Sequence, residues 1–168
     1  PLTSFCDATL GQDHIINCFT CVISKPGATQ QHTHTDFSGL FGTPLDMFAP
    51  SYAINLFIPL VPLNDINGTT QMWPGTHKKP LASPEEHDGI LPNVPLGSAV
   101  LMDYRVQHRG TANLSDEMRP ILTIAYSRRW FIDTSNFATV APLDLSQEQF
   151  ETMDDRRIAL FERAKLYF

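Results

Sequence analysis

His34-Thr35-Asp36 sets two metal-binding side chains at positions i and i+2. On a strand those positions share a face, so an imidazole and a carboxylate at this spacing point into one space. A third ligand has to come from elsewhere, and His108, just after an apolar segment, is the candidate. Two imidazoles and one carboxylate on one face of iron(II) leave three positions open, the arrangement used by non-haem oxygenases. A chelating 2-oxo acid and dioxygen both need such open positions. Zinc accepts the same three ligands, which keeps a zinc-dependent hydrolase in view. A 2-oxo diacid such as 2-oxoglutarate also needs a partner for its far carboxylate. Arginine supplies a planar, permanent, two-pronged charge. Arg119 opens the strand that returns after His108. Arg128 and Arg129 are rivals at that strand's far end.

The elements that must position these groups read as β. Residues 14–24 (HIINCFTCVIS) and 52–61 (YAINLFIPLV) are β-branched and aromatic runs. Further strands are expected over 30–36, 69–73, 97–104 and 119–130. Pro120 suits a strand start or edge. Ser146, followed by Glu148 and Gln149, carries capping signals for a C-terminal helix over 146–165. Two stretches lack apolar periodicity. Phe37–Pro50 is rich in Gly, Phe and Pro and directly follows the ligand pair; its first part, Phe37–Phe48, is placed to close over substrate. Pro74–Pro95 carries five prolines. Short strands with Gly/Pro turns indicate an all-β core, a sandwich or barrel of the cupin-like jelly-roll kind, with one C-terminal helix.

Composition excludes several classes. The chain has 168 residues, 42% of them hydrophobic and 18% charged, with a net charge of −6. That suits one soluble domain and does not suit neutralising phosphates, so neither nucleic acid nor a membrane surface is an expected partner. No apolar run reaches the length of a membrane span. Cys6, Cys18 and Cys21 are too few and too irregular for a disulfide framework. The Cys18-x-x-Cys21 pair lies in a strand, where residues three apart face opposite ways, so it reads as two core or half-buried thiols. Reduced thiols fit a cytoplasmic setting. The oligomeric state stays open, with a homodimer among the options.

One longer pattern is specific. His34-x-Asp36 is followed by Asn67-Gly68, then Pro74-Gly75-Thr76-His77, then His108-Arg109-Gly110, Asn113 and Arg119. In order and spacing, residues 14–131 resemble the phytanoyl-CoA dioxygenase family of Fe(II)/2-oxoglutarate oxygenases. The resemblance implies a double-stranded β-helix. It implies iron held by His34, Asp36 and His108, with 2-oxoglutarate anchored by Arg119. It also implies a co-substrate contact from Gln31, although on a regular strand Gln31 would face away from His34. Hydroxylation of a small organic molecule, using O2 and releasing succinate and CO2, is the implied reaction. A carboxylate at position 36 favours hydroxylation over halogenation in such enzymes. Members usually carry a longer region before the H-x-D. Only 33 residues precede it here, so part of the usual N-terminal fold and pocket is expected to be missing from this domain of residues 1–168. The competing reading is a non-oxidative cupin-like binding module or an inactive relative.

Phe37, Phe41, Met72, Trp73 and Tyr104 are candidates to line a substrate pocket, although aromatic and Met side chains more often belong to cores. His32 reads as structural and His77 as a turn residue. Asp103 reads as a strand-end hydrogen-bonding group rather than a rival ligand.

Overall fold

The structure, a computed structural model, describes residues 2–42, 44–133, 136 and 143–164. The chain opens with a helix, α1 (Leu2–Leu10), followed by β1 (Ile15–Ser24), β2 (Ala53–Pro59), β3 (Thr70–Trp73), β4 (Val100–Asp103), β5 (Gln107–Gly110) and β6 (Arg119–Ser127). Two short helices, α2 (Gln147–Glu151) and α3 (Asp155–Leu160), follow. Four strands form one antiparallel sheet in the order β1-β6-β2-β4, and β3 pairs with β5 in a second. Backbone bridges extend the second sheet on both sides, through His34 against His108 and Ile90 against Met72. Two opposed antiparallel sheets with crossing connections are the jelly roll anticipated from the strand pattern.

The larger sheet is covered on both faces, which is why β2 (AINLFIP) reads as a continuous apolar run rather than an alternation. Leu56 packs outward with Ile16 and Ile124, where Leu2, Leu160 and Phe161 cover them. Phe57 faces inward, between clusters built on Leu63, Val94 and Ile121 and on Met72, Met102 and Val106. At one end of the interior Tyr52, Ala53, Tyr104, Ala125 and Phe131 form a further cluster, against which Phe37 packs.

Two expectations change, and one strand was not foreseen. Residues 30–36 do not form a regular strand; they are tied to β5 at two points, by Gln31 N to Gly110 O at 2.9 Å and by the reciprocal His34–His108 backbone pair at 2.9 Å each way. β5 itself has no apolar alternation to announce it and exists by pairing with its neighbours. The C-terminal helix divides in two. The Ser146 capping box with Gln149 forms as read, but the Asp154 side chain accepts from Arg157 N and starts a new helix. A side chain that caps one helix competes with continuation of the one before it. Lys165, the expected end, lies outside the described residues. Helix α1 was signalled only by Leu2, Cys6 and Leu10 at four-residue spacing; Cys6 and Leu10 are fully buried, and Arg156 clamps Asp7 through two hydrogen bonds.

Phe131 is 1% exposed and its ring contacts those of Tyr52 at 4.8 Å and Phe37 at 5.0 Å. Phe131→Ala should therefore lower stability by about 3–5 kcal/mol, read from urea unfolding.

Candidate metal centre

Each ligand candidate reaches the interior by a different device. His108 sits on β5, paired with Met72 on one side and bridged to His34 on the other. The segment before Asp36 gains its aim from a mismatch in count. Residues 31 to 34 on one side lie opposite residues 110 to 108 on the other, so the 30–36 segment holds one more residue than β5 between the two bonded points. An extra residue on one side of an antiparallel pair is a β-bulge, and it reverses the facing of everything beyond it. Gln31 and His34 therefore line the same cavity, which a regular strand would forbid.

The side chains of His34, Asp36 and His108 converge, with one ligand atom from each all within 4.8 Å of one another. The His34 and His108 rings lie 4.4 Å apart, and His108 Nε2 is 3.7 Å from Asp36 Oδ1. Both imidazoles are held in one tautomer. His34 Nδ1 donates to His32 O at 3.0 Å and His108 Nδ1 donates to Val106 O at 2.9 Å. A carbonyl only accepts, so the proton is on Nδ1 and the Nε2 lone pair is open in each ring. Burial lowers the pKa of His108, which favours the neutral imidazole a metal requires. Burial raises that of Asp36, against the pull of His108, His34 and the Asn55 amide. A cation between the three groups would suit this half-buried carboxylate.

The same cavity, about 170 Å³ in volume, is also bounded by Arg119, Gln31 and Gly110. Arg119 is 6% exposed. Its Nη1 donates to Asn67 O at 2.9 Å and Thr111 O at 3.0 Å, and its Nε is buried without a partner. No ion pair holds it among the described residues. Burial lowers its pKa, yet guanidinium stays protonated in proteins. The site is thus a buried cation wanting an anion. Two glycines make room for it. A Cβ on Gly68, whose φ is +83°, would collide with Arg119 Nη1 and Ala112 O. A Cβ on Gly110 would stand 2.7 Å from Gln31 Oε1, which accepts from Gly110 N.

With that geometry in place, the comparisons are informative. The description of the Phytanoyl-CoA dioxygenase (PhyH) family matches residues 3–121. The chain belongs to that family. Dioxygenase af480 of Aspergillus fumigatus is 29% identical over 146 residues, which cover 82% of this chain and 45% of that protein. The structure of EvdMO1 superposes with a TM-score of 0.64 at 23% identity, covering 76% of this chain and 30% of that one. SnoN, described as a non-heme alpha ketoglutarate dependent epimerase from nogalamycin biosynthesis, gives a TM-score of 0.62 at 16% identity over 92% of this chain and 66% of its own. The two structural likenesses show a shared fold. The chain spans about half the length of the curated relatives it matches.

Against this family background the remaining candidates take definite places. Phe37 is a core residue, Met72 and Tyr104 are buried in separate clusters, and Trp73 donates through Nε1 to His87 O. Phe41 is exposed on the loop after the ligands. None of these five lines the cavity that holds the ligand triad. Arg128 bonds Ser51 O and Thr9 O, and Arg129 pairs with Glu162. Asp103 is engaged by Arg105 and Ser51. His77 lines a separate depression with Thr76 and Gln107. Sequence reasoning missed Asn55, which donates to Asp36 Oδ2 at 2.6 Å. Its signal was a lone amide inside an apolar strand.

Gly68→Ala should lower stability by about 2 kcal/mol or more, since both the positive φ and the space are denied to a Cβ. A thermal melt measures this, and the milder Gly75→Ala, where a Cβ meets nothing within 4 Å, isolates the backbone part.

Proposed function

We propose that this chain carries the iron and co-substrate site of an Fe(II)/2-oxoglutarate-dependent dioxygenase acting on a small organic molecule. One observation carries the reading: a buried guanidinium with no ion-pair partner among the described residues shares a cavity with a His/Asp/His cluster. A metal site alone explains the cluster and leaves Arg119 unexplained. A diacid that chelates at one end and ends in a carboxylate at the other explains both.

The residues present fit the missing groups. His34 and His108 offer Nε2, and Asp36 offers Oδ1, to an iron ion. Arg119 stands beside Gly110, and Gly110 faces the same way as His108 two residues along β5, a step of about 7 Å. That suits a five-carbon diacid spanning from metal to guanidinium. Gln31, fixed through its Oε1, lines the same cavity. Val22, Phe57 and Ile121 give the cavity apolar walls, which strengthens the charge interactions inside it. When bound, the iron couples oxidative decarboxylation of 2-oxoglutarate, to succinate and CO2, to oxidation of a substrate C–H bond by O2.

The substrate side is coarser. Relatives are named dioxygenases and SnoN an epimerase, so one scaffold serves different outcomes. Hydroxylation is the outcome proposed here, on the ground that Asp36 fills the position a halide would need. No helix among the described residues is long and apolar enough to cross a membrane. The three cysteines are free thiols, which supports a cytoplasmic setting.

The test uses anaerobically purified chain supplied with Fe(II), 2-oxoglutarate and air, with succinate as the readout. His34→Ala and Asp36→Ala should each weaken iron binding by more than about 100-fold, beyond the loss typical of a group that only supports a ligand. Arg119→Ala should leave iron in place and raise the 2-oxoglutarate requirement by roughly 10- to 100-fold, the loss of a charge-assisted, two-pronged contact. Unchanged iron binding in the first pair sinks the ligand assignment. An unchanged 2-oxoglutarate requirement in the third moves the anchor elsewhere. Metal binding with no succinate under any condition favours the binding-module or zinc reading.

A further inference from the structure

We propose that Asn55 is a positioning residue for the metal site, fixing which oxygen of Asp36 is presented to the ion. The proposal rests on the reading that Asp36 is a metal ligand. Asn55 lies at the middle of β2, the strand between β6 and β4, with its backbone opposite Ala125 on one side and Met102 on the other. It is 5% exposed. A buried amide in an apolar strand is costly unless its hydrogen bonds are made. Here Nδ2 donates to Asp36 Oδ2 at 2.6 Å. The amide's orientation follows from chemistry, because an ionised carboxylate offers only acceptors.

What this contact does depends on how loosely Asp36 is otherwise held. Its segment is not a strand, and among the described residues its backbone is held by two bonds outside any ladder, Asp36 N to Tyr104 O at 3.0 Å and Asn136 Nδ2 to Asp36 O at 3.0 Å. The carboxylate plane is therefore set by the side chain's partners. With Oδ2 taken by Asn55, Oδ1 is the oxygen directed toward His108 Nε2, 3.7 Å away. Asp36 is thereby made a one-oxygen ligand. A carboxylate free to turn could bind through both oxygens and consume a position that a chelating 2-oxo acid needs. Asn55 transfers the rigidity of a doubly paired strand to a ligand carried by an irregular segment.

The experiment titrates the full chain with Co(II), which is stable in air. Asn55→Leu keeps the size and removes the donor. It should weaken Co(II) binding by about 10- to 100-fold and alter the Co(II) visible spectrum, with the melting temperature confirming a folded chain. The same substitution placed in Asp36→Ala should change the residual affinity by less than about twofold, because its partner is already gone. Affinity within twofold of the parent in folded Asn55→Leu overturns the proposal, as does an equal loss in both backgrounds, which marks a general structural role. Should Asn55→Leu not fold, Asn55→Ala carries the same comparison. Parent-like affinity in Asp36→Ala would overturn the ligand reading and this proposal together; a loss there with none in Asn55→Leu overturns the positioning role alone.

Discussion

A carboxylate buried between two imidazoles and a guanidinium buried among carbonyl groups share one cavity. Among the described residues, Arg119 has no ion-pair partner and Asp36 meets only the two imidazoles and the Asn55 amide. Burying unpaired charge is among the most expensive things a protein does. The cost is tolerable when the missing charges arrive as ligands: a cation for Asp36 and an anion for Arg119. Much of the surrounding structure follows from that constraint. Gly68 and Gly110 give the guanidinium space, the Asn67 and Thr111 carbonyls align it, and the His32 and Val106 carbonyls fix the imidazole protons on the far nitrogens.

The jelly roll supplies what the constraint demands, two sheets whose inner faces approach closely enough for groups far apart in sequence to meet. The metal cluster is drawn from the smaller sheet and its irregular extension, whereas Arg119 and Asn55 come from the larger sheet. Co-substrate and metal would therefore bridge the two layers. The larger sheet is covered outside by α1 and α3, and the connection 74–95 is tied to the smaller sheet by the Ile90–Met72 bridge and to Leu63, after β2, by Val94. A site spanning two layers keeps its spacing only if neither layer slides.

The convergence of His34, Asp36 and His108 on a cavity that Arg119 also lines was legible because these residues are chemical signals. Their residue types carry meaning at fixed spacing, and no regular secondary structure is needed to recognise them. Long strands such as β1, β2 and β6 were legible from β-branched runs. β5 was not, since three polar residues and a glycine become a strand only by pairing. The bulge between residues 31 and 34 was equally invisible, because a count mismatch belongs to two segments at once and to neither sequence alone. The pocket residues illustrate the reverse difficulty. Phe37, Met72, Trp73 and Tyr104 are apolar in the way both a core and a pocket require; Met72, Trp73 and Tyr104 are buried, whereas Phe37 is half-buried and borders a separate depression.

Asn55 shows what lies between those extremes. A single amide among Ala, Ile, Leu and Phe in β2 conflicts with the local preference for burying carbon. Such conflicts persist where something other than stability selects the residue. Replacing Asn55 by an apolar side chain would improve the strand as a strand, yet it would strip a buried carboxylate of its donor. The fold accepts a weaker β2 because the carboxylate it restrains follows a bulge and lies outside any strand ladder. Local imperfection in the larger sheet thus compensates for local imperfection in the smaller one, and the metal site is the place where the two are matched.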